Sequence, residues 1–315
     1  MAHTIRRLYS SIPIPSSPSA PSIASQFFAK AHSQPPSTQS QLLDANQLQR
    51  LSATLSRTQL SRSLPENGTP LPPCYHLAYF TPSQVEEELG RDGTDTTFNP
   101  PRPFTRRMWA GGELEWPVPG KGVLGLRVGQ QVTETTKLVS AVGKRTGAGE
   151  EMVVVGVEKE YNNSEGVALI DRRNWIFRPE ITEPQAPAAR PAEVPLPSGP
   201  HTRDFTQTPV SLFRFSALTF NAHKIHYDRA WCREVEGHRD LVVHGPLNLI
   251  NIVDFWRDVR GGNASPKKIT YRATRPLYAG ERYRIVMGDE KDGVTEARIV
   301  DCYGGVGMLG RIESF

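Results

Sequence analysis

An α+β fold in two similar halves, each mostly antiparallel sheet, is what this sequence predicts. Three observations carry the prediction. A Pro-rich stretch from Glu183 to Pro200 (EPQAPAARPAEVPLPSGP) has few large apolar residues and cannot build core. Pro stiffens it into an extended spacer, leaving bodies of similar size at about 70–182 and 203–315. Each body is a series of strand-sized apolar runs separated by turn residues. The second body also carries one clear amphipathic helix pattern.

Taken in order, residues 1 to about 40 are rich in Ser and Pro, and no acid precedes Asp44. That is the composition of a mitochondrial transit leader, with an ordinary disordered tail as the alternative, and it is expected to lie outside the fold. Thr4 to Ile12 can form one amphipathic turn, with Ile5, Leu8 and Ile12 on one side, until Pro13, Pro15 and Pro18 stop it. The first half, 55–182, opens with a loop at Leu71-Pro72-Pro73 and a short helix from Pro82 to Leu89 capped by Thr81. Strands are expected at Met108–Trp116, broken by Gly111-Gly112, and at Leu126–Val142, Met152–Tyr161 and Val167–Phe177. After the linker, 183–202, the second half, 203–315, starts with a strand from Val210 to Leu218. A His-rich loop and a short helix from Asp228 to Val235 follow. The long helix runs from about Pro246, whose missing N–H costs nothing in a first turn, to Val259. Leu249, Ile250, Val253, Trp256 and Val259 share one face, and Gly261-Gly262 ends it. Strands at Lys268–Leu277, Arg282–Asp289 and Val294–Cys302 finish the chain.

The net charge of +4 belongs to the leader. Residues 1–62 hold six bases and one acid, so the remaining 31 bases face 32 acids. A near-neutral body gives no electrostatic reason to expect a nucleic-acid partner. No run approaches the eighteen or so apolar residues of a membrane span. Cys74, Cys232 and Cys302 are far apart and argue against a disulfide framework or a zinc site.

The chemistry concentrates in Phe213 to Pro246, FRFSALTFNAHKIHYDRAWCREVEGHRDLVVHGP, which holds His223, His226, His238 and His244 of the eight histidines. Histidine titrates near neutrality and can serve as a general base. An amide side chain such as Asn221 can hold a water molecule, or cap the turn at Phe220. Gly245, at a helix start, can present its amide to a developing oxyanion. His244 is read as shaping the helix entrance, and His76 and His201 as structural or exposed. The Arg106-Arg107 pair suits phosphates but is better read as a solvated pair. Gly304-Gly305-Val306-Gly307 cannot be a dinucleotide loop, because no helix can follow it. Lys144 to Gly149 is a hairpin turn.

Asn221-Ala222-His223-Lys224-Ile225-His226 resembles the D-x-N-P-x-H signature of MaoC-like, hydratase 2 enzymes, with His226 on the catalytic His. Asn221 stands at the family's Asp and His223 at its Asn. Val243-His244-Gly245-Pro246 resembles the family's helix start. Leu71-Pro72-Pro73 with Tyr75-His76, Arg106 to Gly112 (RRMWAGG) and Asn174 to Arg178 (NWIFR) resemble the branch of fungal mitochondrial hydroxyacyl-thioester dehydratases type 2 and bacterial mesaconyl-CoA hydratases.

The resemblance spans about 55–310 and implies a double hot-dog: two antiparallel sheets each wrapping a helix, fused as a pseudo-dimer. It implies dehydration of (3R)-hydroxyacyl thioesters to trans-2-enoyl thioesters in mitochondrial fatty-acid synthesis, in the matrix. The substrate would ride on acyl-carrier protein or coenzyme A, with no metal and no redox cofactor. In the enoyl direction His226 would be general base to water, Asn221 would hold that water, His223 would orient or share the proton, and Gly245 would donate to the thioester oxygen. The first half would supply wall and acyl pocket. The alternatives are a mesaconyl- or itaconyl-type dicarboxylic acyl-CoA hydratase, a catalytically silent acyl-thioester binder suggested by Asn221, and a thioesterase using Asp228 or Glu234. Either a monomer or a homodimer fits.

Overall fold

The computed structural model of the chain describes residues 19–117, 125–261 and 264–315. The first half contains β1 (Ser37–Leu42), β2 (Arg106–Glu115), β3 (Gln131–Arg145), β4 (Glu151–Asn163) and β5 (Gly166–Arg178). The second contains β6 (His201–Thr206), β7 (Pro266–Ala273), β8 (Arg282–Met287), β9 (Val294–Asp301) and β10 (Val306–Ser314). All ten join in one antiparallel sheet of order β1-β3-β4-β5-β2-β7-β10-β9-β8-β6. The halves meet at β2 and β7, where Gly112 pairs with Tyr271 and Leu114 with Ile269. The fold is the expected double hot-dog, with its two sheets merged edge to edge.

Helix α5 (Gly245–Val259) fills the second half. Leu249, Ile250, Ile252 and Val253 are fully buried, and Trp256 is nearly so. Burying each such side chain contributes roughly 1.5–3 kcal/mol, which is why this helix was legible from its apolar spacing. The first half is built differently. Its inner face is covered at one end by α1 (Ala20–His32), packed on β3 and β4. At the other end lie α2 (Ala45–Thr54), the short α3 (Thr58–Ser61) and a 3-10 turn at Tyr75–Ala78. Two apolar clusters result. Ile23 and Ala24 meet Leu138, Val153, Val155, Val157 and Phe177. Leu43, Leu48, Leu51 and Tyr75 join Tyr161, Leu169 and the α5 core. Between them, register puts Glu134 opposite Tyr161 and Thr136 opposite Lys159, so the middle of the sheet is polar.

Several expectations need correction. Residues 20–40 are not outside the fold: α1 buries Ala20, Ile23 and Ala24, and β1 pairs with β3 from Ser37 to Leu42. Gly143 exists for that packing, since a Cβ there would lie 2.3 Å from Pro21 N. The leader expectation for residues 1–18 lies outside the described residues. The run 210–218 is a helix, α4 (Pro209–Leu218), not a strand. Thr208 and Ser211 cap it reciprocally, Pro209 opens it, and Leu212, Phe215 and Ser216 are its buried stripe. Val210 and Phe213, which made the run look like a strand, face solvent. The expected helix at 82–89 shrinks to a 3-10 turn at Glu86–Glu88. The Gln84 side chain exchanges two hydrogen bonds with Thr96, which holds the preceding chain extended. The segment at 228–235 ends in a π-helical turn, Trp231–Val235. β6 and β10 were missed. The 304–307 glycines turn the chain from β9 into β10.

The Pro-rich linker carries no helix or strand before β6, yet it is tied to the second half: Ala188 N donates to Gly237 O and Val194 N to Cys302 O. All three cysteines are buried and none is in a disulfide. No helix among the described residues is long and apolar enough to cross a membrane.

Candidate active site

The end of α4 sets the first catalytic candidate. Phe220 takes a left-handed turn (φ 48°), and Asn221 N reaches back to Ser216 O. Asn221 Oδ1 accepts from His223 N at 3.1 Å, so its side chain closes this turn. A 3-10 turn, Lys224–His226, then brings His226 inward.

His226 is 7% exposed, and its Nδ1 lies 2.7 Å from Val242 O. A carbonyl only accepts, so Nδ1 carries the hydrogen and Nε2 keeps the lone pair. Burial depresses its pKa to about 4, although the Val242 hydrogen bond pulls upward. The ring is therefore neutral at physiological pH, which a base requires. His244 stacks on it at 3.6 Å and is held by Ser216 Oγ at 2.9 Å. His223 stands edge-on at 5.4 Å.

Gly245 begins α5. Position 246 is proline and has no N–H, so the Gly245 amide stands at the positive end of the helix dipole. A side chain there is excluded: a Cβ would lie 2.8 Å from Trp109 Cδ1. A β-bulge between Trp109 and Gly111 in β2 re-aims Trp109 across the half boundary. Its ring stacks on Tyr271 and carries the Arg173 guanidinium at 5.4 Å.

Asn221, His223, His226 and Gly245 all line one cavity of about 1310 Å³, so the structure brings the four predicted residues together. Arg106 and Arg107 also line it and are not a solvated pair. Arg107 binds Asp95 at 3.3 Å and stacks on Trp175. Asp228 and Glu234 are not on the cavity wall; Asp228 Oδ1 instead accepts from Trp231 N. His76 is structural as expected, buried against Asp171 at 3.0 Å, and His201 meets Asp289 at the surface.

The cavity continues over the polar middle of the first half's sheet. There Lys159 Nζ bonds Glu134 Oε1 at 2.7 Å, and Thr136 Oγ1 donates to the same oxygen at 2.9 Å. Arg173 pairs with Asp171 beside them at 2.5 Å. Burial lowers the Lys159 pKa, and Glu134 Oε2 is buried without a hydrogen-bond partner. Sequence reading missed this floor, because alternating polar residues in a strand read as a solvent face. It also missed Asp92, which sits in a turn, and Glu236, which hid among the acids and bases of the catalytic stretch.

Comparison with known proteins agrees with the fold and with the family resemblance. The family model for hydroxyacyl-thioester dehydratase type 2 matches residues 74–279. The mesaconyl-C(4)-CoA hydratase of Chloroflexus aurantiacus is 32% identical over 235 residues, covering 73% of this chain and 79% of that protein. The mitochondrial hydroxyacyl-thioester dehydratase type 2 of Schizosaccharomyces pombe is 26% identical over 242 residues, covering 70% and 79%. Among solved structures, a MaoC-like dehydratase from Phytophthora capsici superposes with TM-score 0.66 at 18% identity, over 91% of this chain and 98% of that one. A Mycobacterium tuberculosis protein described as a double hot-dog gives 0.54 at 11% identity, over 90% and 96%.

Proposed function

The chain belongs to the hydroxyacyl-thioester dehydratase type 2 family, and we propose that it interconverts (3R)-3-hydroxyacyl and trans-2-enoyl thioesters by removing or adding water. The observation that carries this reading is His226. Its Nδ1–H is fixed on Val242 O, its Nε2 is free, and it shares one cavity with the amide of Gly245. In dehydration Nε2 takes the proton from C2, while the Gly245 amide and the α5 dipole stabilise the enolate oxygen. Asn221 holds its loop by accepting from His223 N and can offer its side-chain NH₂ to water. The reaction needs neither a redox cofactor nor a metal. A mitochondrial site fits the basic, acid-poor leader and the Schizosaccharomyces pombe relative. Acyl-carrier protein or coenzyme A would carry the substrate, and the protein would act as a monomer or homodimer.

The test follows enoyl-thioester absorbance with crotonyl-CoA and longer trans-2-enoyl-CoAs. Wild type should bleach the band, and His226→Ala should be slower by about 10²–10⁴-fold. Bleaching at equal rates in both proteins refutes the role of His226. Release of free thiol in place of hydration would indicate a thioesterase.

One observation favours the dicarboxylic alternative. Lys159, Arg173 and Glu134 line the cavity floor where a hydrocarbon tail would lie. Burying charged groups against an alkyl chain is costly, whereas a short acyl group with a distal carboxylate can pair with Lys159 or Arg173 in competition with Glu134 and Asp171. Lys159→Met should then depress kcat/KM for mesaconyl-CoA at least tenfold more than for crotonyl-CoA. Equal losses on the two substrates would remove this reading.

A further inference from the structure

The stretch 221–226 contains no carboxylate, yet two carboxylates reach it from elsewhere in the chain. Asp92 comes from the first half. Its loop is docked on the catalytic stretch: Lys224 N donates to Asp92 O at 2.8 Å, and Lys224 Nζ to Arg91 O at 2.8 Å. Gly93 (φ +81°) approaches so closely that a Cβ would lie 2.1 Å from Ala222 O. Glu236 comes from the second half, just after the π-helical turn, where the Trp231 indole donates to its Oε1 at 2.9 Å.

His223 lies between them. Its Nε2 is 3.6 Å from Asp92 Oδ2 and 4.0 Å from Glu236 Oε1. One ligand atom from each of the three residues lies within 4.8 Å of the others. His223 is 7% exposed, and its Nε2 is buried with no hydrogen-bond partner. An orphaned buried nitrogen is costly, and it is aimed at a point between two carboxylates. These separations are too long for direct hydrogen bonds, but a point about 2.8 Å from each atom is within reach. That is the spacing for a hydroxyl or a water. A divalent metal at about 2.0–2.2 Å would have to draw the three groups inward.

Glu236 and His223 line the same cavity as His226, together with Arg106 and His238. Burial raises the Glu236 pKa against the pull of Trp231 and Arg106. Burial, reinforced by His226 and Arg107, lowers that of His223. Both shifts lean toward the neutral forms, and a carboxyl can donate a proton only from that form.

We propose that Glu236 is the second acid–base group of the site, facing the water side of the reaction, with Asp92 and His223 as the residues that position it and its water. This inference rests on the hydro-lyase reading above. In dehydration, His226 Nε2 accepts the proton from C2. The electron pair of that bond becomes the C2–C3 π bond, and the C3–O bond breaks with its pair on oxygen. The departing hydroxyl takes the Glu236 proton and leaves as water. The proton gained by His226 then returns through solvent to Glu236. One water is lost, no electrons are transferred, and hydration is the same path reversed. A carboxyl from position 236 thus does what Asn221, which cannot donate a carboxyl proton, leaves undone.

Two readouts separate this role from a structural one. The first is hydration of crotonyl-CoA and mesaconyl-CoA. The second is deuterium exchange at C2 of butyryl-CoA in D₂O, which needs only the base and the oxyanion donor. Glu236→Gln should lose at least about 10²-fold in hydration kcat, with KM within threefold, while keeping C2 exchange. Asp92→Asn should fall between it and wild type, and His226→Ala should lose both reactions. If Glu236→Gln lacks a cooperative thermal transition, Glu236→Asp replaces it and should hydrate at least tenfold faster than Glu236→Ala. Hydration by Glu236→Gln within threefold of wild type, alongside an inactive His226→Ala, overturns the inference and leaves the hydro-lyase reading standing. Loss of wild-type activity on chelation and its return with Zn²⁺ also overturns it, in favour of a metal at these three residues. A wild type that hydrates neither substrate removes both.

Discussion

Replacing Gly245 by alanine tests the geometry of the site most directly. The added methyl would lie 2.8, 2.9 and 3.1 Å from Cδ1, Cγ and Cβ of Trp109. Something must move. The Trp109 ring has little room, because Tyr271 stacks on one face at 5.8 Å and Arg173 lies 5.4 Å from its centroid. The start of α5 must therefore shift by several tenths of an ångström, and the proposed oxyanion donor, the Gly245 amide, shifts with it. Losing one oxyanion donor costs about 10²–10³ in kcat, or roughly 2.7–4 kcal/mol. Overpacking of this kind costs about 1–3 kcal/mol of stability. Steady-state hydration should show a fall in kcat of about 10²-fold with little change in KM, and the melting temperature should drop by several degrees. The double variant Gly245→Ala/Trp109→Ala makes room for the methyl and should recover stability relative to the sum of the two single changes. A Gly245→Ala protein that loses stability but keeps kcat within threefold refutes the oxyanion role. Additive stability losses in the double variant refute the packing argument.

Acid should inactivate and destabilise the protein together. His226 is held neutral with a pKa of about 4, below its unfolded value near 6.5, so the folded state binds fewer protons between those values. Stability is then full above pH 6.5 and falls as the pH drops toward 4, by on the order of 3 kcal/mol for His226 alone. Burial shifts His223 and His244 the same way. Urea midpoints measured from pH 7.5 to 4.5 should decline throughout, and a flat profile above pH 5 contradicts the burial of these rings. kcat/KM should fall on its acid limb near pH 4, not near 6.5, since that limb reports the free-enzyme base. At the other end of the molecule, Ile23→Ala removes a side chain that is 4% exposed, and it should cost about 2–4 kcal/mol with kcat unchanged. A melting temperature equal to wild type would mean that α1 does not pack on β3 in solution.

What the sequence disclosed followed the physics of each signal. The α5 pattern is long and strongly periodic, and its helix spans Gly245–Val259, within one residue of the expected start. The long strands were legible because apolar and polar residues alternate between turn residues. Positions 210–218 misled because their large apolar residues, Val210, Leu212, Phe213, Phe215 and Leu218, suit a strand as well as a helix; the deciding marks were Thr208, Pro209 and Ser211. Residues 20–40 misled because composition reports the chance of a leader, not whether Ile23 finds Leu138 and Val153 to pack against. The four candidate residues 221, 223, 226 and 245, which line one cavity, could be singled out because they lie in one stretch of sequence. Asp92 could not. It is 131 positions from His223, and the docking of the 91–93 loop on Ala222 and Lys224 brings the two together.

That docking bears on why the halves differ. A sheet shared through β2 and β7 puts residues of the first half against the N-terminus of α5. The β2 bulge delivers Trp109 to Gly245, and the 90–93 loop delivers Asp92 to His223. The inner face of the first half, between α1 and the Tyr75–Ala78 turn, keeps a polar floor where α5 fills the corresponding space in the second. Fusion lets the two copies diverge in this way. In the proposed mechanism the second half would keep the base and the oxyanion donor, while the first would supply position, charge and room for the acyl group. If the first half acts through position, Asp92→Asn should change kcat. If it acts through room, Lys159→Met should change the choice of substrate. Because these residues share no partners, the free-energy effects of the double variant should add within about 0.5 kcal/mol.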